Sequence, residues 1–118
     1  MSTGRQEALN ALVAAAAVVR IVVVKLPFAT DCLVVPPIAF ASQKNADIVL
    51  WTNHTGGTIH LFLPAGVADG ALNFDIPDGG YQAVPVGGGR QDIYPYQVRC
   101  DVTASFAIGN SAPIIIID

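Results

Sequence analysis

The pattern of apolar and polar positions divides the chain into a helix-like start and a long strand-like remainder. Between Arg5 and Val19, apolar residues recur at helical spacing among alanines, which predicts an N-terminal helix. From Val18 to Leu26 the residues become β-branched, which favours a strand. We therefore predict a helix that passes into a strand near Val19, with residues 1–19 forming a helical extension.

After Pro27 the chain is a series of short apolar runs separated by proline and glycine. Strands are predicted near Asp31–Val35, Ala46–Asn53, Thr58–Leu63, Leu72–Ile76, Tyr81–Val86, Tyr94–Val102 and Pro113–Ile117. Seven or eight short strands at this rhythm are typical of a β-sandwich or barrel, and not of a helical or alternating α/β fold. The prediction is a single all-β domain over residues 1–118, a Greek-key β-sandwich that begins with one helix.

Composition adds an expectation about assembly. Charged residues make up 13% of the 118 residues, against roughly 25% in ordinary soluble domains, while 53% are hydrophobic. So little charge points to self-association or to a membrane. The apolar run from Ala11 to Val24 is interrupted by Arg20, which argues against a membrane span. We expect a homo-oligomer with Ala11–Val24 in its interface, in the cytoplasm, or in the periplasm if this segment is a signal.

The charges and cysteines exclude some partners and sites. The net charge is −3 and the six basic residues are scattered, which argues against binding to nucleic acid. Cys32 and Cys100 lie far apart in the sequence and match no metal or redox spacing, so we expect buried free thiols. No catalytic signature orders the serine, histidine and acidic residues, and we expect no enzyme activity.

Two stretches of the chain carry a distinctive pattern of aromatic, histidine and cysteine positions. The first, Ala46–His60, reads ADIVLWTNHTGGTIH, and the second, Phe74–Cys100, reads FDIPDGGYQAVPVGGGRQDIYPYQVRC. Their distinctive residues are Trp51, Asn53 and His60 in the first stretch and Tyr94, Tyr96, Val98 and Cys100 in the second. In these residues the chain resembles the cupredoxin-like superfamily. The resemblance covers about Ile48 to Asp118 and implies a β-sandwich in which His60 and Cys100 occupy ligand-like positions.

The chain departs from the resemblance at the metal ligands. A blue-copper site needs a cysteine thiolate, two histidines and a weak axial ligand. In the family, the second histidine and the axial methionine follow the cysteine closely, but here Cys100 is followed by DVTASFAIGNSAPIIIID, with neither. We therefore expect no blue-copper centre and no cofactor. His54, His60 and Cys100 remain candidates for a different metal site, although a buried thiol and ordinary strand side chains are the simpler interpretation.

Three functional hypotheses remain open at this point. The preferred one is a non-catalytic cupredoxin-like module that acts by self-association or by binding another protein. The second is a non-blue metal-binding protein that uses His54, His60 or Cys100. The third is a sandwich that binds a small ligand or a sugar on Tyr81, Tyr94 or Trp51.

Overall fold

The computed structural model describes residues 17–107 and 112–118, and every regular element in these residues is a β-strand. The strands are β1 Val18–Val24, β2 Leu33–Val35, β3 Ile38–Ala41, β4 Ile48–His54, β5 Ile59–Phe62, β6 Asn73–Ile76, β7 Tyr81–Pro85, β8 Asp92–Pro95, β9 Gln97–Cys100, β10 Ser105–Phe106 and β11 Ile114–Ile117. The all-β prediction is confirmed. The Greek-key order of connections stays a prediction.

The strands form three sheets that enclose one core. Their orders are β2-β1-β4-β7, β10-β9-β5-β6 and β3-β11-β8. Most neighbours are antiparallel, but β1 runs parallel to β4, and β3 runs parallel to β11. Because the parallel partners are distant in sequence, the N-terminal and C-terminal strands are both held by long-range pairing.

Alternation of side chains along the strands accounts for the core. In β4 and β11 every second residue is buried, as expected for strands with one face turned inward. Trp51 at the middle of β4 is completely buried, and its ring meets Tyr96 edge to face with 5.6 Å between the ring centres. The indole N–H of Trp51 donates a hydrogen bond to the Tyr96 hydroxyl oxygen at 3.3 Å. This pair joins β4 to the segment that leads into β9.

A glycine turn locks the end of β4 to the connection between β6 and β7. Gly79 has a φ of 74°, a conformation that side chains rarely adopt. Its N–H donates to the Asn53 carbonyl at 2.8 Å, and the Asn53 N–H donates to the Gly80 carbonyl at 3.0 Å. The loop is therefore held against the strand that carries Trp51 and Asn53.

The N-terminal predictions need correction where the structure describes them. Val18 and Val19 belong to β1, so the predicted helix does not reach Val19, and the remainder of that prediction lies outside the described residues. The expected interface segment, Ala11–Val24, stays a prediction. In its described part, β1 pairs with β2 on one side and β4 on the other; Ile21 and Val23 are fully buried, and Val18 is 48% exposed. In residues 17–107 and 112–118, no helix is long and apolar enough to cross a membrane.

The strand predictions miss two divisions in the chain. The predicted strand Tyr94–Val102 is two strands, β8 and β9, which belong to different sheets and are separated by Tyr96. No strand was predicted between Val35 and Ala46, but residues 38–41 form β3. The prediction of seven or eight strands was therefore too low, because β3, β8 and β10 are short and depend on partners elsewhere in the chain.

Candidate functional site

The three candidate metal ligands lie in different surroundings. His54 is exposed at the end of β4, in one sheet, whereas His60 and Cys100 lie on β5 and β9 of another sheet. The chain between His54 and His60 therefore crosses from one sheet to another and does not form a hairpin. The described residues contain no group of three or more histidine, cysteine, aspartate or glutamate side chains that could hold a metal ion.

His60 lies on the outer face of its sheet between two carboxylates. Its Nδ1 is 2.6 Å from Asp75 Oδ1, and its Nε2 is 2.9 Å from Asp101 Oδ1. Asp75 is the cross-strand partner of His60 on β6, and Asp101 follows directly after β9. Arg99 Nη1 reaches the same Asp101 oxygen at 3.0 Å. Two acidic and two basic side chains thus form one ion-pair cluster, which we call the His60 cluster.

The cluster favours the charged form of the imidazole. The hydrogen bond with Asp75 is the largest cause that raises the pKa of His60 above its ordinary value of 6.5, and Asp101 adds to it, while burial acts against it. In the protonated ring, each nitrogen donates to one carboxylate, and no lone pair is left for a metal. These contacts connect β5 to β6 and to the residue that follows β9.

His60 and Cys100 point to opposite faces of the sheet. In the pairing of β5 with β9, Ile59 is opposite Cys100 and His60 is opposite Arg99. Side chains alternate along a strand, so Ile59 and Cys100 face the core while His60 and Arg99 face outward. Ile59 and Cys100 are fully buried, in agreement with this orientation. These two candidates cannot share a metal ion, because the sheet separates their side chains.

The residues after Cys100 form a tight hairpin. Asp101 to Ala104 make a turn closed by an N–H···O bond of 3.1 Å from Ala104 to Asp101. The chain then returns as β10, which places Ser105 opposite Cys100 and Phe106 opposite Arg99. The positions that would supply further ligands are thus used to pair β10 with β9.

The Cys100 thiol is fully buried in the core. Burial raises the pKa of the Cys100 thiol far above its usual range, and the neighbouring Cys32 thiol adds to this effect. A copper thiolate needs the deprotonated sulfur and two imidazoles on the same side of the sheet. The residues present do not fit that group.

A buried polar network surrounds Asn53. The Asn53 side chain is fully buried and donates from Nδ2 to the carbonyls of Gly57 and Ile76, at 2.7 and 2.9 Å. Its Oδ1 accepts from the N–H and from the hydroxyl of Thr55, at 3.0 and 2.7 Å. All hydrogen-bonding capacity of this amide is therefore used. The Asn53-His54-Thr55 sequence resembles a glycosylation acceptor, but this amide is inaccessible and structural.

The aromatic residues do not form one binding surface. Trp51 is fully buried, whereas Tyr81 is 71% exposed on β7. Tyr94 is partly buried, and its hydroxyl donates to the Arg90 carbonyl at 2.6 Å. A groove of about 340 Å³ does lie beside β7, but it is lined by small residues, Phe74 and Asp69 and by none of these three aromatics. The expectation of a platform that includes Trp51 is wrong, because its ring is in the core.

Sequence reasoning missed the groups that His60 and Cys100 actually meet. Asp75, Asp101 and Arg99 gather around His60 because β5 pairs with β6 on one side and β9 on the other. The alternation of side chains predicts which residues of one strand share a face. It does not predict which strands pair, and that pairing is what brings these charged side chains together. Cys32 lies beside Cys100 for a similar long-range reason, and their sequence separation gives no sign of it.

Comparison with known proteins gives the same architecture. No protein-family model and no curated protein sequence matches the chain. Among solved structures, a purple cupredoxin from Nitrosopumilus maritimus matches with a TM-score of 0.54 at 10% identity, over 84% of this chain and 98% of that one. A variant of amicyanin in its Cu(I) form matches with a TM-score of 0.50 at 14% identity, over 84% of this chain and 82% of that one. At these identities the likeness concerns the fold alone, and the chain is a β-sandwich with the cupredoxin-like fold.

Proposed function

We propose that this chain is a non-catalytic cupredoxin-like module that associates with a second copy of itself through the outer face of the β3-β11-β8 sheet. The observation that carries the proposal is the composition of that face. Its six side chains stand in two rows across the three strands. The rows are Ile38, Ile114 and Pro95, and Phe40, Ile116 and Ile93. We call these six residues the outer apolar face.

Large apolar side chains of the outer apolar face are open to solvent on both edge strands. Phe40 on β3 is 68% exposed and Ile93 on β8 is 55% exposed, while Ile114 and Ile116 on the central strand β11 are partly buried. The outer face of the β10-β9-β5-β6 sheet is different, because it carries the His60 cluster. The contrast supports a difference in role, with one face adapted to water and the other to an apolar partner.

A second copy suits this face better than a charged partner does. The six residues themselves are uncharged, and Asp47 and Asp118 border Phe40 and Ile116 at one end of the face. An apolar patch is complementary to itself across a twofold axis. The net charge of −3 leaves little repulsion between copies. Among the residues that the structure describes, β3 and β8 are the edges of their sheet, and each pairs on one side only.

The size of the face predicts weak association. Three strands about 4.8 Å apart and two rows about 7 Å apart place the six side chains on a patch of roughly 200 to 300 Å². A stable dimer usually buries about 800 Å² on each partner. The dimer should therefore form only at high protein concentration, unless flanking residues enlarge the contact.

Sedimentation velocity across a concentration series tests the proposal. The wild-type chain should shift from monomer toward dimer as concentration rises, and Phe40→Ser should shift this transition to higher concentration. Tyr81→Ser is the matched control, because Tyr81 is equally exposed but lies on β7 of another sheet. A chain that stays monomeric throughout, or one that responds equally to both substitutions, would show that this face is not a self-association surface.

A further inference from the structure

The two cysteines come from distant parts of the chain and both belong to the buried core. Both are fully buried, and both are free thiols. Cys32 directly precedes β2 in the β2-β1-β4-β7 sheet, whereas Cys100 ends β9 in the β10-β9-β5-β6 sheet. A bond between them would therefore join the two sheets covalently.

Hydrogen bonds beside the cysteines hold the two segments in place. Ser105 is the cross-strand partner of Cys100, and its Oγ lies 3.2 Å from Asp31 Oδ1. Asp31 is the residue before Cys32, so this contact brings the Cys32 backbone against the end of β9. Thr103 supports the arrangement from the other side, because its hydroxyl donates to the Cys100 carbonyl at 3.3 Å. The juxtaposition of the thiols therefore does not depend on the thiols themselves.

We propose that Cys32 and Cys100 form a reversible disulfide that links the two sheets when the protein meets a low-molecular-weight disulfide such as oxidised glutathione. The Cys32 thiolate attacks one sulfur of the oxidant, which breaks the oxidant's S–S bond and releases one thiol. Cys100 then attacks the sulfur of Cys32 in this mixed disulfide. The Cys32–Cys100 bond forms, and the second oxidant sulfur leaves as a thiol with the Cys100 proton. The two cysteines lose two electrons, which the oxidant gains.

The reduced pair is protected against casual oxidation. Burial keeps the Cys100 thiol protonated, because its pKa lies well above the usual range, and a protonated thiol is a poor nucleophile. Reaction consequently requires an opening that admits the oxidant to Cys32. Strand β2 is the outermost strand of its sheet and is held to β1 by only three residue pairs, Val22 with Val35, Val23 with Val34, and Val24 with Leu33. Such a short edge can open locally without global unfolding.

The oxidised form should be the more stable one. The bond would close a loop of about 70 residues and so reduce the entropy of the unfolded chain. From the usual effect of a loop of this length, the thermal midpoint should rise by on the order of 10 °C. A reducing agent should return the midpoint to its original value.

Intact mass spectrometry of the full chain tests the proposal. After incubation with oxidised glutathione in sub-denaturing urea, which promotes opening of β2, the monomer should lose about 2 Da, the two hydrogens of the thiols. It should carry no glutathione and should have no thiol that reacts with maleimide after denaturation. Dithiothreitol should restore both thiols, and the thermal midpoint should follow the mass.

Single substitutions provide the controls. Cys100→Ala should stop the reaction at a mixed disulfide between Cys32 and glutathione, whereas Cys32→Ala should react more slowly because Cys100 is protonated and inward-facing. If either variant fails to fold, the wild-type mass still decides the matter. Two reactive thiols after oxidation, a stable glutathione adduct on the wild-type chain, or only disulfides between chains would overturn the proposal.

Discussion

Replacement of Asn53 by leucine should strongly destabilise the fold. Leucine has the branched outline of asparagine and the same number of side-chain heavy atoms, but its methyl groups are larger. The substitution therefore leaves no cavity for water to fill, and it removes the amide at the centre of the buried polar network. The four hydrogen bonds to Gly57, Ile76 and Thr55 are lost together.

The structure allows the cost to be estimated group by group. The Thr55 hydroxyl can still donate to the Gly57 carbonyl, 2.9 Å away, which satisfies one pair. The Ile76 carbonyl and the Thr55 N–H both lose the Asn53 partner within a buried region. Each such group costs about 1 to 3 kcal/mol, so we expect a loss of about 3 kcal/mol in the free energy of unfolding. For a domain of this size, the thermal midpoint should fall by roughly 10 to 20 °C.

Urea and thermal unfolding of wild-type and variant proteins measure this loss. Asn73→Leu is the matched control, because Asn73 is exposed on β6 and the same chemical change there should alter stability by less than about 0.5 kcal/mol. A fall of less than about 4 °C for Asn53→Leu, or an equal effect at Asn73, would refute the reasoning that these buried groups depend on Asn53.

Three further predictions follow from other parts of the molecule. Because the pKa of His60 is raised in the folded state, the His60 cluster stabilises the fold fully below about pH 6.5, and this stabilisation is lost as pH rises through the folded-state pKa. His60→Gln should therefore lower the free energy of unfolding in urea at pH 5.5 and have little effect well above that pKa. An equal effect at both pH values would contradict the assignment. Gly66→Ala should lower the free energy of unfolding in urea by about 1 to 3 kcal/mol, because Gly66 has a φ of 103° and an added Cβ would lie 2.8 Å from the Tyr94 ring. Gly70→Ala is the control and should be nearly neutral, because an added Cβ there has no neighbour within 4 Å. Addition of copper(II) should give no intense visible thiolate-to-copper band, and such a band, if lost in Cys100→Ser, would show that Cys100 can bind copper.

Local patterns were sufficient for the strands that carry their own alternation and turn signals. The prediction placed β4, β5, β6, β7 and β11 within a few residues of their positions, because each is bounded by glycine or proline. Residues 38–41 contain only four strand residues after two prolines, and β3 forms because β11 pairs with it in parallel. No local feature of the sequence reveals that pairing.

The candidate site shows the same division between local and long-range information. The absence of a second histidine and a methionine after Cys100 is visible in the sequence, and the expectation of no blue-copper centre rests on it and stays a prediction. The opposite facing of His60 and Cys100 follows from the register of β5 against β9, which sequence alone does not supply. The same is true of the contact between Cys32 and Cys100, since it depends on how two sheets pack.

Strand β11 belongs to the core and to the surface at once. Ile115 and Ile117 are buried inside, while Ile114 and Ile116 stand in the outer apolar face, and the strand is paired on both sides. A partner that covers the outer apolar face would therefore also stabilise the backbone of β11, whose other side chains pack in the core. Association and folding then become linked equilibria, in which the amount of protein present helps to set its resistance to heat.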